Sequence, residues 1–149
     1  MNIIRRLLLT IPMLTATAFA QNAPLTIDSR YSFTETVNVL ETAIQEKGMT
    51  LFARIDHQAA AKEAGLDMQP ATVLIYGLPK AGTPLMKKDP TLALQLPLKV
   101  LITETDGKVQ VLLNSAEQVV ARSNTPYSDV ENTLANAEKL IRTTITAEK

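Results

Sequence analysis

The single histidine of the chain, His57, stands directly behind Asp56, and imidazole is the side chain that changes charge near neutral pH. Such a residue could act as the general base of a hydrolytic or proton-transfer reaction. It could equally open a helix capped by Asp56 and pack locally. A nucleophilic triad would have to route through His57, with Thr83 as nucleophile and Asp56 as orienter. Adjacent residues seldom point the right way for that, and no Gly-x-Ser-x-Gly elbow is present.

The stretch Gly77-Leu78-Pro79-Lys80-Ala81-Gly82-Thr83 resembles a phosphate loop. It lacks the lysine that must follow the second glycine, because Thr83 stands there. A weaker anion pocket from Lys80, Thr83 and loop amides is the remaining functional reading, against a proline-stiffened turn across the sheet end. No metal is expected: the chain has no cysteine, and Met49, Met68 and Met86 share no short motif with His57. Core packing accounts for those methionines better than Cu(I) ligation does. No cofactor is expected either. Lys87-Lys88-Asp89 reads as a solvated loop.

These residues need elements to position them. Ser32-Phe33-Thr34-Glu35 is a capping box, and Phe33, Val37, Leu40 and Ile44 recur as one helical stripe ended by Lys47-Gly48. A weak strand precedes it at 26–31. A strand follows over 49–55, then a short alanine-rich helix over 57–64 capped by Asp56 and closed by Gly65. Residues 71–76 are apolar on both faces and read as a central strand. Four of the eight prolines fall in 77–97, which predicts a long loop with at most one or two helical turns. Leu98–Thr103 and Lys108–Leu113 form a hairpin around Asp106-Gly107. A short helical piece covers 115–122. A capping box at Ser128–Glu131 then starts a closing helix with Val130, Leu134, Ala137, Ile141 and Ile145 as its stripe.

This order predicts one α+β domain, a two-layer sandwich whose mixed sheet of about five strands carries helices mainly on one face. The second face would need cover from the 77–97 segment or a second subunit. If the strands at 49–55 and 71–76 run parallel, His57 and the Gly77–Met86 segment share one sheet edge, with the ring within about 8 Å of Thr83. Asp56, His57, Gly77, Lys80, Gly82, Thr83 and Met86 would then line the ligand site.

The chain opens with Arg5-Arg6, an apolar run of about a dozen residues and Ala18-Phe19-Ala20, the pattern of a cleaved export signal. A spanning helix needs about twenty apolar residues, so no membrane insertion is expected after cleavage. Loss of residues 1–20 removes two arginines from a balance of 15 basic and 15 acidic residues, leaving a net charge of −2. With no clustered Lys and Arg, nucleic acid is not an expected partner. The expected location is periplasmic or secreted, for a single domain over 21–149.

Three blocks in order carry a family resemblance. They are Phe52-Ala53-Arg54-Ile55-Asp56-His57 with the alanine-rich 58–65, then Leu74 to Met86, then Leu96-Pro97-Leu98-Lys99-Val100-Leu101. Over residues 30–122 the chain resembles the domain-of-unknown-function family 302. The resemblance implies a compact α+β domain that pairs as homodimers, with no established biochemical role to carry over. The family's shared Asp-His lends weight to His57. Leu78 and Leu112-Leu113 depart from the family's usual asparagine and aromatic residue at those places.

The function expected is binding of a small molecule or protein partner, with no demonstrated catalysis, by an exported homodimer. The alternatives are a hydrolase or proton-transfer enzyme based on His57, and a structural or stress-protective interaction protein. Export predicts that the intact mass of periplasmic protein corresponds to a chain starting at Gln21. Retention of residues 1–20 in a membrane pellet would contradict it.

Overall fold

The computed structural model describes residues 23–146; the export signal expected over residues 1–20 lies outside the described residues. The elements run β1 (Leu25–Asp28), α1 (Phe33–Glu46), β2 (Thr50–Asp56), α2 (His57–Glu63), β3 (Ala71–Gly77), α3 (Pro79–Lys88), a 3-10 helix (Pro90–Leu94), β4 (Leu98–Thr105), β5 (Lys108–Leu113), α4 (Ala116–Val120), a 3-10 turn (Tyr127–Asp129) and α5 (Leu134–Thr146).

The α1 capping box forms as the sequence predicts. Glu35 N–H donates to Ser32 Oγ at 3.3 Å, and Ser32 N–H donates to the Glu35 carboxylate at 3.2 Å. Val37, Leu40 and Ile44 are fully buried. Gly48 takes a φ of +73°, and its N–H and that of Met49 close the helix onto the Gln45 and Ile44 carbonyls. The β4–β5 turn has positive φ at both Asp106 and Gly107, which matches the right-handed twist of a hairpin.

The five strands are ordered β1-β5-β4-β3-β2, and every pairing is antiparallel. The sheet is therefore not mixed. A parallel β2–β3 pair would require the intervening chain to run back along the whole sheet. The seven residues of α2 rise only about 10 Å, less than half of the roughly 23 Å that a seven-residue strand spans, and residues 64–70 do not make up the difference along the sheet, because β3 starts beside the end of β2. The chain re-enters at the edge it left, pairing Asp56 with Thr72 and Thr50 with Gly77.

One sheet face buries Leu74, Tyr76, Val100, Ile102, Val111 and Leu113 against α1 and α5, which supply Val37, Leu40, Ile44, Ala137, Ile141 and Ile145. This is the two-layer sandwich. Arg54 on β2 pairs with Glu41 on α1 at 3.3 Å across the layers. On the opposite face the register aligns Ile55, Val73, Leu101 and Leu112 in one row across four strands.

Segment 77–97 is not a long loop. Pro79 occupies the start of α3, where a missing N–H costs nothing, and the ten-residue helix continues through Pro84. Leu85, Met86 and Leu96 pack against a second small core of Leu92, Ala116, Val119, Val120, Val130 and Leu134, and this burial overrides the proline signal. α3 packs on the 3-10 helix at the sheet end and does not cover the open face.

The Ser128 capping box is not used either. Pro126 initiates a 3-10 turn, Val130 sits at φ −119° and ψ −3°, and α5 starts only at Leu134. Val130 anchors the second core instead of extending the α5 stripe.

Asp89 is no solvated residue but the pin of that second core. It is 7% exposed. Its carboxylate accepts from Thr91 N–H (3.1 Å), Thr91 Oγ1–H (2.6 Å), Asn124 N–H (2.7 Å) and Thr125 Oγ1–H (3.1 Å). Led by the Thr91 hydroxyl, these donors hold its pKa down at about 2 against an ordinary 3.8. The folded-state pKa is depressed, so the stabilisation is complete above about pH 4 and lost as pH falls towards 2. Asp89→Asn should lower the melting midpoint at pH 7 by about 5–15 °C, and this deficit should shrink between pH 4 and pH 2. A deficit independent of pH across that range would contradict the assignment.

Candidate functional site

An apolar cleft of about 680 Å³ opens where β3 ends and β4 begins. This is within the range of small-molecule sites. Its floor is Gly77, Pro97 and Leu98. One wall is α3, through Pro79, Ala81, Gly82, Thr83 and Met86, and the other is the first half of α5, through Leu134, Ala137 and Leu140. Lys47 and Met49, just past the end of α1, close the third side together with Phe52.

Local structure explains these positions. The β2–β3 register slips between Leu51 and Ala53, so Phe52 is the extra residue of a bulge. Bulges re-aim a side chain, and the Phe52 ring is left 52% exposed at the cleft. Gly77 lies under it: a Cβ there would stand 3.7 Å from Phe52 Cε2 and 3.6 Å from Pro97 Cβ. Any longer side chain at Gly77 would compete for the cleft floor. Leu78, 41% exposed, takes the position before Pro79 and faces the same space.

Of the residues expected to form one site, Gly77, Gly82, Thr83 and Met86 line this cleft. Lys80 does not. It borders a shallow neighbouring groove with Thr83, Pro84 and Lys87. Asp56 and His57 lie at the other edge of the sheet, because Asp56 pairs with Thr72 while Gly77 pairs with Thr50. Five residue steps along β3, from Thr72 to Gly77, separate the two ends, or about 17 Å. The expected approach of His57 to Thr83 within about 8 Å does not occur, and a single site that joins His57 to the Gly77–Met86 segment is not formed. Asp56 performs the capping role instead, accepting from Ala59 N–H at 2.9 Å, and His57 is an exposed first residue of α2.

Leu140 and the α5 face of the site escape a reading by motif, and Phe52 and Leu78, though they stand in the family blocks, carry no chemical signature. The signal for Phe52 lay in the alternation of β2, which breaks at that residue. Tyr76, the last core-facing residue before Gly77, is only 1% exposed. Burial, then the Glu138 charge, raise the pKa of its phenol well above the ordinary value, so it remains neutral. Among the described residues no three His, Cys, Asp or Glu side chains cluster as a metal site, and no helix is long and apolar enough to cross a membrane.

An antiparallel α+β sandwich with a ligand-sized cleft at one sheet end defines the class. Residues 25–145 match the family described as Domain of unknown function DUF302, and the chain belongs to that family. It shares its fold with the DUF302 protein from Bacillus stearothermophilus seen in a crystal structure, at a TM-score of 0.70 and 20% identity over 82% of this chain and 94% of that one. It is 38% identical over 99 residues to the fluoride-specific ion channel FluC 1 of Brucella suis biovar 1, covering 66% of this chain and 39% of the channel protein. The FluC 1 of Brucella abortus biovar 1 is equally similar, with 37% of its length covered. The chain thus spans less than two fifths of those relatives' length.

Proposed function

We propose that the protein is an exported binding protein that holds a small, largely apolar molecule in the cleft between α3 and α5. The observation that carries this reading is the cleft itself, about 680 Å³ walled mainly by Phe52, Leu78, Met86, Leu98 and Leu140. Apolar concavities with a few polar groups at the rim are the usual form of ligand sites. Binding is favoured over a His57-based reaction because the histidine lies at the far edge of the sheet. A neutral solvatochromic dye such as Nile red should bind saturably at one site. Leu140→Glu, a charge placed on a half-buried wall position, should weaken it by about tenfold or more. Unchanged dye affinity in a folded Leu140→Glu protein would contradict the proposal.

A second reading concerns assembly, and the open sheet face favours it. Val73, Ile75, Leu101 and Leu112 are half-buried there and Ile55 is 40% exposed. An apolar row of this kind suits a two-fold interface with a second copy of the chain. Light scattering should give a dimer mass that Leu101→Lys converts to a monomer. A wild-type monomer at high micromolar concentration would overturn this reading.

A further inference from the structure

Resting on the cleft as a ligand site, we infer that its ligand is an anionic amphiphile with a single chain, a free long-chain carboxylate. The charge pattern of the lining leads there. Two lysines, Lys47 and Lys139, line the cleft, and no aspartate or glutamate does. This is a local excess of two positive charges on a chain whose 15 basic and 15 acidic residues balance. Both lysines are exposed, and neither takes part in the ion pairs of the described residues. Four other cations of the described residues are paired with carboxylates, Arg54 with Glu41, Lys88 with Asp129, Lys108 with Asp28 and Arg142 with Glu138, and none of these four lines the cleft.

The two lysines come from different elements. Lys47 caps α1, and Lys139 lies on the second turn of α5. The helices run antiparallel, since Arg30 N–H, before α1, donates to Ile145 C=O near the end of α5. This arrangement brings the end of α1 and the start of α5 to the same end of the helix layer, beside the cleft. Ammonium groups on long stems keep their charge in water while apolar surface lies beneath them. A ligand that satisfies both features has a hydrocarbon body against Phe52, Leu78 and Met86 and one compact negative head at the lysines. A neutral hydrocarbon would leave the lysine charges unused, and a cationic amphiphile would be repelled by them.

Calorimetric titration of the exported protein with dodecanoate, dodecanol and dodecyltrimethylammonium, each below its aggregation threshold, tests the assignment. Dodecanoate should bind at least about tenfold more tightly than the other two, with a preference that added salt reduces. Shortening the carboxylate should weaken binding by up to about fourfold per buried methylene. Lys47→Glu with Lys139→Glu should reverse the order of head groups. If that variant fails to fold, Lys47→Ala with Lys139→Ala should abolish the preference. Equal affinity for the three probes would overturn the head-group inference and leave the apolar cleft standing, whereas no binding of any probe would overturn both. Binding to vesicles of anionic phospholipid that dodecanoate does not compete away would also overturn it, by assigning the lysines to a membrane surface.

Discussion

The apolar stripe of α5 serves two cores at once, and the cleft exists because of that division. Ala137, Ile141 and Ile145 pack on the sheet, while Leu134, one turn earlier, packs with Leu92, Val119, Val120 and Val130. Leu98 contributes to both cores from the strand side. A helix and a strand that belong to two separately packed cores leave a seam between them, and the cleft occupies that seam. The second core is small, so it depends on polar pins to hold its position. Asp89 ties the 3-10 helix to the 124–125 segment, and Glu138 accepts from Ala116 N–H at 3.0 Å, fixing the start of α4 to α5.

The other governing constraint is the antiparallel return from β2 to β3. It separates the chain's most reactive-looking side chain from its most ligand-like space. The chain turns back through the short α2 without crossing the sheet, and His57 stays where β3 begins rather than where it ends. The chemistry suggested by residue types and the concavity created by packing therefore fall at opposite edges. For this fold, geometry outweighs residue identity as a guide to the site.

Local signals were legible where the backbone itself imposes them. The Ser32–Glu35 box, the α1 stripe and the Asp106-Gly107 turn depend on neighbours within four residues, and each appears where the sequence places it. The helix within 77–97 was hidden because its stability comes from Leu85 and Met86 meeting residues that lie further along the chain. Ser128–Glu131 carries the same letters as a true cap, but burial of Val130 in the second core takes precedence. Half of the candidate site followed from the glycine-rich segment after β3. The other half, on α5 and at the Phe52 bulge, depends on tertiary packing and carries no chemical signature in the sequence.

The proposed binding puts ligand at the Gly77 end of the sheet and not at the His57 end. Amide chemical-shift mapping during titration of a saturating apolar ligand tests it most directly, because both edges report in one spectrum. Binding in the cleft should perturb Gly77–Leu78, Ala81–Met86, Leu98 and Asn136–Leu140 and leave Asp56–Glu63 unmoved. Shifts centred on Asp56, His57 and the rest of α2, with the α3–α5 cleft silent, would contradict it.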